Sequence, residues 1–529
     1  MAIPVPPNTH WSARLRVLIL LVALLASCTG GGNGEGDGSS NAEPDAAGFG
    51  SRVLRPTLGT DATARPPADD VPGYAVTYRP QTCPFATRSA NGLTVDCGEL
   101  VVPMNRANPA GATVSLAVAV VRSTSPAPRP DPVLYLAGGP GGSAIASVDM
   151  WTRPMAPILI DRDLILVDQR GTGYSKPRLE CTNLRDSDYV SDFASLAENC
   201  RRVLTNQHID VAAFNTTESA ADLADLRRAL RLKEWNLFGI SYGTRLALVA
   251  MQTQPYGIRS VVLDSAYPPG ARSLDEIPAD LSRAIHALSV DCAAQPACGA
   301  HFPDVEGQLY RAVDQLNQAS RGTGDDYVSE LFQAMYMSEI MPDIPKAIGL
   351  AAAGEIGQSI KLLEGAGALA RHPELIDNGP PSSARTRPSM SEALYHSVEC
   401  AESVPFTTPD RVRAASKLVA PEIAAELTRS NLRQLALCRV WDVPPRELAE
   451  VHSDIPTLVL AGTYDPITPP AWGERAAATL SHATYVLVNG SGHAVWASGD
   501  CPKQLVREFV DDPTAAGPDC RGAPPDFSL

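Results

Sequence analysis

Positive charge is scarce in this 529-residue chain: 44 lysines and arginines stand against 59 aspartates and glutamates, a formal net charge of −15. No clustered run of Lys and Arg offsets that balance, so the phosphate neutralisation that nucleic-acid binding needs is absent and a nucleic-acid partner is excluded. Long apolar runs are missing too. The uninterrupted apolar stretch at residues 17–26 suits a signal segment and is too short to span a bilayer. The 11 cysteines form no close C-x-x-C pair, and His301 and His396, each near a cysteine, complete no four-ligand pattern. No metal and no other cofactor is expected. The glycine-rich segment 138–142 has no G-K-[ST] ending, and Pro140 removes a donor from it, which argues against a nucleotide phosphate loop.

The chain is too long for one compact domain of ordinary size, and two globular units are the starting expectation. Its N-terminus reads as an address. Arg14 and Arg16 precede the apolar run, which ends in Leu25-Ala26-Ser27-Cys28, a tetrapeptide that looks like a bacterial lipobox with Cys28 as the acylated residue. An ordinary secretory signal is the alternative, and both imply export. Residues 1–27 are thus expected to be a lipoprotein signal peptide and 28–70, rich in Gly and Ser, a flexible tether. The expected setting is extracytoplasmic, a cell-envelope lipoprotein whose membrane partner is reached through the lipid anchor. Without Cys28 ten cysteines remain, an even number in an oxidising compartment. Short separations suggest Cys83 with Cys97, Cys181 with Cys200, Cys292 with Cys298, Cys400 with Cys438, and Cys501 with Cys520.

From about Val71 the composition becomes globular. Residues 100–103, 112–122, 133–137, 164–168, 235–240 and 260–264 read as strands, being Val-, Ile- and Leu-rich or alternating. A helix follows Thr216 or Thr217, either of which can cap it. Leu223, Leu226 and Leu230 form its apolar stripe, and Asp222, Asp225, Arg227, Arg228 and Arg231 its expected wet face. Residues 270–453 carry helical patterns without a convincing buried strand, and strands resume at 456–461 and 484–488. The fold class is therefore α/β, a mainly parallel sheet covered on both faces. The divisions are a core in two parts, 71–268 and 454–529, with a mainly helical lid at 269–453 inserted between late strands.

The strand at 235–240 runs directly into a helix through Gly239-Ile240-Ser241-Tyr242-Gly243, a G-x-S-x-G pattern. In such a turn the serine is pushed out at the tip, and side chains at 239 or 243 would collide with the neighbouring strand or helix. A serine nucleophile needs a base, and the base needs an acid to orient it, in the chain order Ser, Asp or Glu, His. Asp465 follows the 456–461 strand and His493 follows the 484–488 strand, so both emerge at the edge where Ser241 emerges. Asp264, after the preceding strand, is the rival acid. His286, His301, His372, His396, His452 and His482 precede strands or lie in the lid and read as surface or packing residues. The Tyr242 N–H and one from the 138–142 loop, Gly139 first, are the expected oxyanion donors, each typically worth about 3 kcal/mol. Asp168 and Arg170, in a Gly-rich turn after the 164–168 strand, read as a structural ion pair.

Taken in order, CGELVVP (97–103), GGPGGS (138–143), DQRGTGYS (168–175), NTTESAADLADLR (215–227), GISYGT (239–244), AGTYDPITPP (461–470) and GSGH (490–493) resemble the α/β-hydrolase peptidases of the prolyl aminopeptidase and secreted tripeptidyl aminopeptidase type. The likeness runs from about Pro72 to Cys520 and is nearest to the secreted tripeptidyl branch. Prolyl aminopeptidases carry His before the G-G-P-G loop where this chain has Ala137, which weakens a proline-specific assignment. The resemblance implies an α/β-hydrolase fold and cleavage near a peptide's free N-terminus. Such an enzyme needs an anionic group to pair with the substrate ammonium, and Glu399 and Glu402, expected to be exposed on the lid, are the candidates. The leading expectation is an exported serine aminopeptidase acting on peptides through an acyl-enzyme. An esterase or lipase acting on envelope esters, and a catalytically silent binding protein, are the alternatives.

Overall fold

The computed structural model describes residues 72–85, 92–181, 193–366, 390–515 and 517–529. The signal segment, Cys28, the tether and His372 lie outside the described residues. One nine-stranded sheet organises the chain, in the order β1-β2-β3-β5-β4-β6-β7-β8-β9. Here β1 (Thr77–Gln81), β2 (Val95–Pro103) and β3 (Thr113–Val121) form an antiparallel margin that joins β5 (Leu164–Val167). From β5 onward every pairing is parallel, through β4 (Val133–Leu136), β6 (Trp235–Ile240), β7 (Ile258–Asp264), β8 (Thr457–Gly462) and β9 (Ala483–Val488).

The central strands are apolar along their length because both faces are covered, and β4, β5, β6 and β8 are buried at every residue. Alternation sorts their side chains. Leu134 and Leu136 pack into the core that also receives the Tyr242–Thr253 and Thr216–Ala229 helices, while Val133 and Tyr135 enter the opposite one with Ile158, Leu505 and Phe509. The sequence carried no clear sign of β1: its TYRPQ is mostly exposed and contains Pro80, which an edge strand tolerates.

Between β7 and β8 the described chain is helical, from the Ser273–Ala294 helix to the Pro421–Trp441 helix, and much of it packs around a core of its own that includes Leu281, Leu309, Leu331 and Ile344. Five disulfides form, joining Cys83 to Cys97, Cys181 to Cys200, Cys292 to Cys298, Cys400 to Cys438 and Cys501 to Cys520. Among the described residues no helix is long and apolar enough to cross a membrane, and no group of three or more His, Cys, Asp or Glu is placed to hold a metal.

The Thr216–Ala229 helix corrects two expectations. Its N-cap is Asn215, whose side chain accepts from the Glu218 N–H. Its charged face is only partly wet: Arg231 is exposed and Arg228 half-buried, but Asp222, Asp225 and Arg227 are buried. Asp222 receives Arg170 through two hydrogen bonds of 2.7 and 2.8 Å, and Arg106 bridges Asp222 and Asp225 at 2.6 Å each. The acids are needed there because two arginines from distant loops, Arg170 buried and Arg106 half-buried, are packed against them.

Candidate active site

Ser241 sits between β6 and the Tyr242–Thr253 helix with φ 57° and ψ −126°, a conformation that is costly for a residue with a side chain. The glycines on either side make room for it. A Cβ on Gly243 would lie 2.1 Å from the Leu136 carbonyl oxygen on β4, and one on Gly239 would lie 2.5 Å from the Gly243 carbonyl oxygen. The turn is secured by the Ser241 N–H donating to the Asp264 carbonyl at 3.0 Å and by the Thr244 hydroxyl donating to the Ser241 carbonyl at 2.5 Å.

Asp465 leaves the end of β8 and His493 the loop after β9. The His493 Nδ1 lies 2.8 Å from Asp465 Oδ2, with both side chains out of solvent. Asp465 Oδ1 accepts the Ile467 and Thr468 N–H groups, and the Thr468 hydroxyl donates to Oδ2 at 2.6 Å. Burial alone would raise the Asp465 pKa, but His493 and the Thr468 hydrogen bonds outweigh it and hold the carboxyl below its ordinary range. Glycines again permit the approach: a Cβ on Gly462 would meet the Ser491 and Gly492 carbonyl oxygens at 2.4 Å. With Nδ1 committed to Asp465, the Nε2 of His493 is the nitrogen left to exchange a proton, and it is buried without a hydrogen-bond partner among the described residues. No hydrogen bond joins it to Ser241 Oγ, a separation common before substrate binds.

The glycine-rich loop lies against the elbow. A Cβ on Gly138 would be 2.9 Å from the Ser241 Cβ, and Gly139 and Gly141 have φ of 118° and 113°. Asp168 and Gln169 hold the two ends of this loop. Gln169 Nε2 donates to the Ala137 carbonyl at 2.9 Å, while Asp168 Oδ1 accepts from the Ser143 hydroxyl at 2.8 Å and the Ile145 N–H at 3.1 Å. The expected Asp168–Arg170 pair does not form. The Asp168 carboxylate is taken up by these donors and by the Tyr174 N–H, so Arg170 turns to Asp222 and to the Met104 and Ala213 carbonyls instead. Tyr242 is the first residue of the helix, and its buried hydroxyl reaches Thr216 Oγ1 at 2.9 Å.

The insertion reaches the loops that carry His493 and Asp465. The Tyr336 ring stands at 65° to the His493 ring with centroids 5.0 Å apart, and the Tyr336 carbonyl accepts the His493 N–H. Ser338 Oγ accepts the Gly492 N–H at 3.0 Å. Arg283, from the Ser273–Ala294 helix, donates to the Thr463 and Asp465 carbonyls at 2.7 Å each. Nothing in the sequence marked Tyr336, Ser338 or Arg283, each more than 150 residues from its partner. Thr468 was within reach, since a Thr three residues after an Asp suits a local side-chain turn.

Glu399 and Glu402, on the Glu392–Glu402 helix, are buried, not exposed. Leu394 and Val398 on that helix join the core that holds Tyr242 and Leu246, and its start is seated on the glycine loop by the Ser391 N–H donating to the Gly141 carbonyl. Glu402 is fully engaged, accepting the Thr216 N–H at 2.7 Å and the Thr216 hydroxyl at 2.6 Å. Glu399 accepts from the Tyr267 hydroxyl at 3.2 Å. Arg245, one turn beyond Ser241, is also buried, with its guanidinium 3.6 Å from the Tyr267 ring centroid and its Nε and Nη1 without hydrogen-bond partners among the described residues. Burial raises the pKa of both glutamates, and Arg245 opposes that rise. Asp264 carries its carboxylate to the backbone beyond His493 and makes no hydrogen bond to the imidazole.

The α/β-hydrolase fold family matches residues 131–284, and the family described as TAP-like protein matches residues 425–521. The serine protease Hip1 of Mycobacterium tuberculosis is 24% identical over 459 residues, covering 78% of this chain and 84% of that protein. Carboxylesterase B of the same organism is 26% identical over 511 residues, covering 88% and 94%. The tripeptidyl aminopeptidase of Streptomyces coelicolor is 29% identical over 194 residues, covering 33% of this chain and 36% of its own. Together the two family matches take in β4 to β9 and leave the middle of the insertion between them.

Proposed function

From a serine hydrolase of the α/β-hydrolase fold with a TAP-like C-terminal region, we propose an aminopeptidase that releases short peptides from free N-termini. Ser241 Oγ attacks the scissile carbonyl while His493 Nε2 takes its proton. Asp465 holds the imidazole in the tautomer with the proton on Nδ1 and stabilises the imidazolium. The Tyr242 and Gly139 N–H groups receive the developing oxyanion. His493 then protonates the leaving amine, and water repeats the sequence on the acyl-enzyme. The 2.8 Å contact between His493 and Asp465 and the strained Ser241 support these roles and run against a silent binding protein.

The single observation that carries the peptidase reading is an imbalance of buried charge. Arg245 faces two buried carboxylates, Glu399 and Glu402, so when both are ionised one negative charge in the cluster has no matching cation among the described residues. Glu402 has its two oxygens held at 2.6–2.7 Å by Thr216, whereas Glu399 meets only the hydroxyls of Tyr267, at 3.2 Å or more, and Ser403, so Glu399 is the carboxylate proposed to receive a substrate ammonium. A buried carboxylate short of a counter-ion is costly, and a bound ammonium removes that cost. Digestion of a mixed peptide library, with product analysis, tests the reading. Products of uniform length cut from unblocked N-termini support it, and cleavage that ignores the N-terminus refutes it.

A second reading, an esterase using the same triad, is favoured by the likeness to carboxylesterase B. We further propose that the chain is exported and anchored through acylated Cys28, a reading supported by the lipobox-like tetrapeptide and by five disulfides. Replacing Cys28 with Ala should release the protein from the membrane fraction; retention there would count against the anchor.

A further inference from the structure

Asp264 ends β7 and is wholly buried, yet it is neither the acid bonded to His493 nor part of the apolar core. Its backbone and side chain reach different parts of the site. The carbonyl accepts the Ser241 N–H at 3.0 Å. The carboxylate accepts the Val495 N–H at 2.9 Å on Oδ1 and the Trp496 N–H at 3.0 Å on Oδ2. Ser265, the next residue, accepts the Ala494 N–H on its Oγ at 2.9 Å and donates its own N–H to the Leu460 carbonyl on β8. Three successive N–H groups directly after His493 are therefore held by two adjacent residues.

Backbone conformation shows that this arrangement is imposed. Ser265 and Ala494 have φ of 59° and 61°, left-handed values rare for residues with a Cβ, and they face each other across the Ala494–Ser265 hydrogen bond. Neither would persist without the bonds that over-determine it. The charged groups facing the Asp264 carboxyl are His493 and, when ionised, Tyr135. Burial pushes its pKa up to about 6, against the pull of the Trp496 and Val495 N–H groups and of His493.

Resting on the serine-hydrolase reading above, we infer that Asp264, aided by Ser265, is a positioning residue that fixes the Ser241 turn and the His493 loop relative to one another. Asp465 sets the tautomer and the orientation of the imidazole; Asp264 sets where the imidazole stands with respect to the nucleophile. A shift of about 1 Å between these groups is enough to cost on the order of a hundredfold in rate.

The test compares the full-length wild type with Asp264→Asn and Ser265→Gly, using a p-nitrophenyl ester and an unblocked tripeptide p-nitroanilide. Asp264→Asn keeps one acceptor and loses the charge. It should lower kcat about 10- to 100-fold on both substrates, leave KM within about twofold, and move the acid limb of kcat/KM to lower pH, because a negative charge near the imidazolium is gone. Ser265→Gly keeps the positive φ and removes one acceptor; kcat should fall about fivefold with the acid limb in place. If Asp264→Asn loses melting temperature but, when folded, keeps wild-type kcat and the wild-type acid limb, the inference is overturned. If Asp264→Asn does not fold, Ser265→Gly decides, and an unchanged kcat there overturns it. A wild type that hydrolyses neither substrate and resists a fluorophosphonate probe would overturn the underlying hydrolase reading, a result separable from indifference of the variants in an active enzyme.

Discussion

At the sheet edge, Ser241, Asp465 and His493 are held by backbone: a strained turn, glycines that let main chains touch, and loops leaving the ends of β6, β8 and β9. Across from it, the insertion presents Tyr336, Glu399 and Glu402, held by side-chain contacts to partners far away in sequence. The first region is built for one reaction and tolerates little change. The second carries the carboxylates proposed to meet the substrate amine, on a helix separate from the triad loops. On the proposed function, reaction and specificity are carried by different parts of the chain, and each should be breakable alone.

The largest effects belong to the sheet edge. Ser241→Ala should abolish turnover, a loss of about 10⁴-fold or more in kcat on any substrate, and should end labelling by a fluorophosphonate. Asp465→Asn should cost about 10⁴-fold in kcat with little change in KM, since the amide cannot support the required tautomer. Gly243→Ala forces a methyl into the Leu136 carbonyl, so it should cost about 3 kcal/mol of stability on thermal unfolding and reduce labelling in whatever folds.

Changes in the insertion should be smaller and selective. Glu399→Gln should lower kcat/KM for an unblocked peptide about 10- to 100-fold, the worth of one charge-assisted hydrogen bond, and leave a simple ester unaffected. An equal loss on both substrates would erase the distinction between the two regions. The smallest effect concerns Glu330, whose pKa is pushed up to about 7 by burial and by the nearby Glu364 and Asp326 carboxylates. Because the folded state holds that proton more tightly, its contribution is fully present below about pH 4 and is lost as pH rises through 7. Glu330→Gln should therefore raise the melting temperature at pH 8 by an amount equivalent to about 2 kcal/mol and change nothing at pH 4.

The same division decides what could be read from the sequence. The elbow was legible because its glycines are a steric requirement of the turn itself, and the Asp465–His493 pairing because chain order constrains it. The five disulfides were legible from short separations. The buried face of the Thr216–Ala229 helix was not, because its arginine partners come from other loops: Arg106 lies 116 residues from Asp222, and Arg170 lies 52. Burial of Glu399 and Glu402 was hidden for the same reason, since Arg245, Thr216 and Tyr267 lie on other elements. Asp264 was visible as an acid at a strand end, but its acceptance of two N–H groups beyond His493 depends on the register between β7, β8 and the last loop.

On the proposed function, the triad at the sheet edge serves a substrate whose free amine is read by the insertion. The most direct measurement is kcat/KM for an unblocked tripeptide p-nitroanilide beside its N-acetyl counterpart, with Ser241→Ala as the blank. The unblocked substrate should turn over, the acetylated one at least about tenfold more slowly, and neither with Ser241→Ala. Equal rates for the two substrates, or activity that survives Ser241→Ala, would contradict the proposed function.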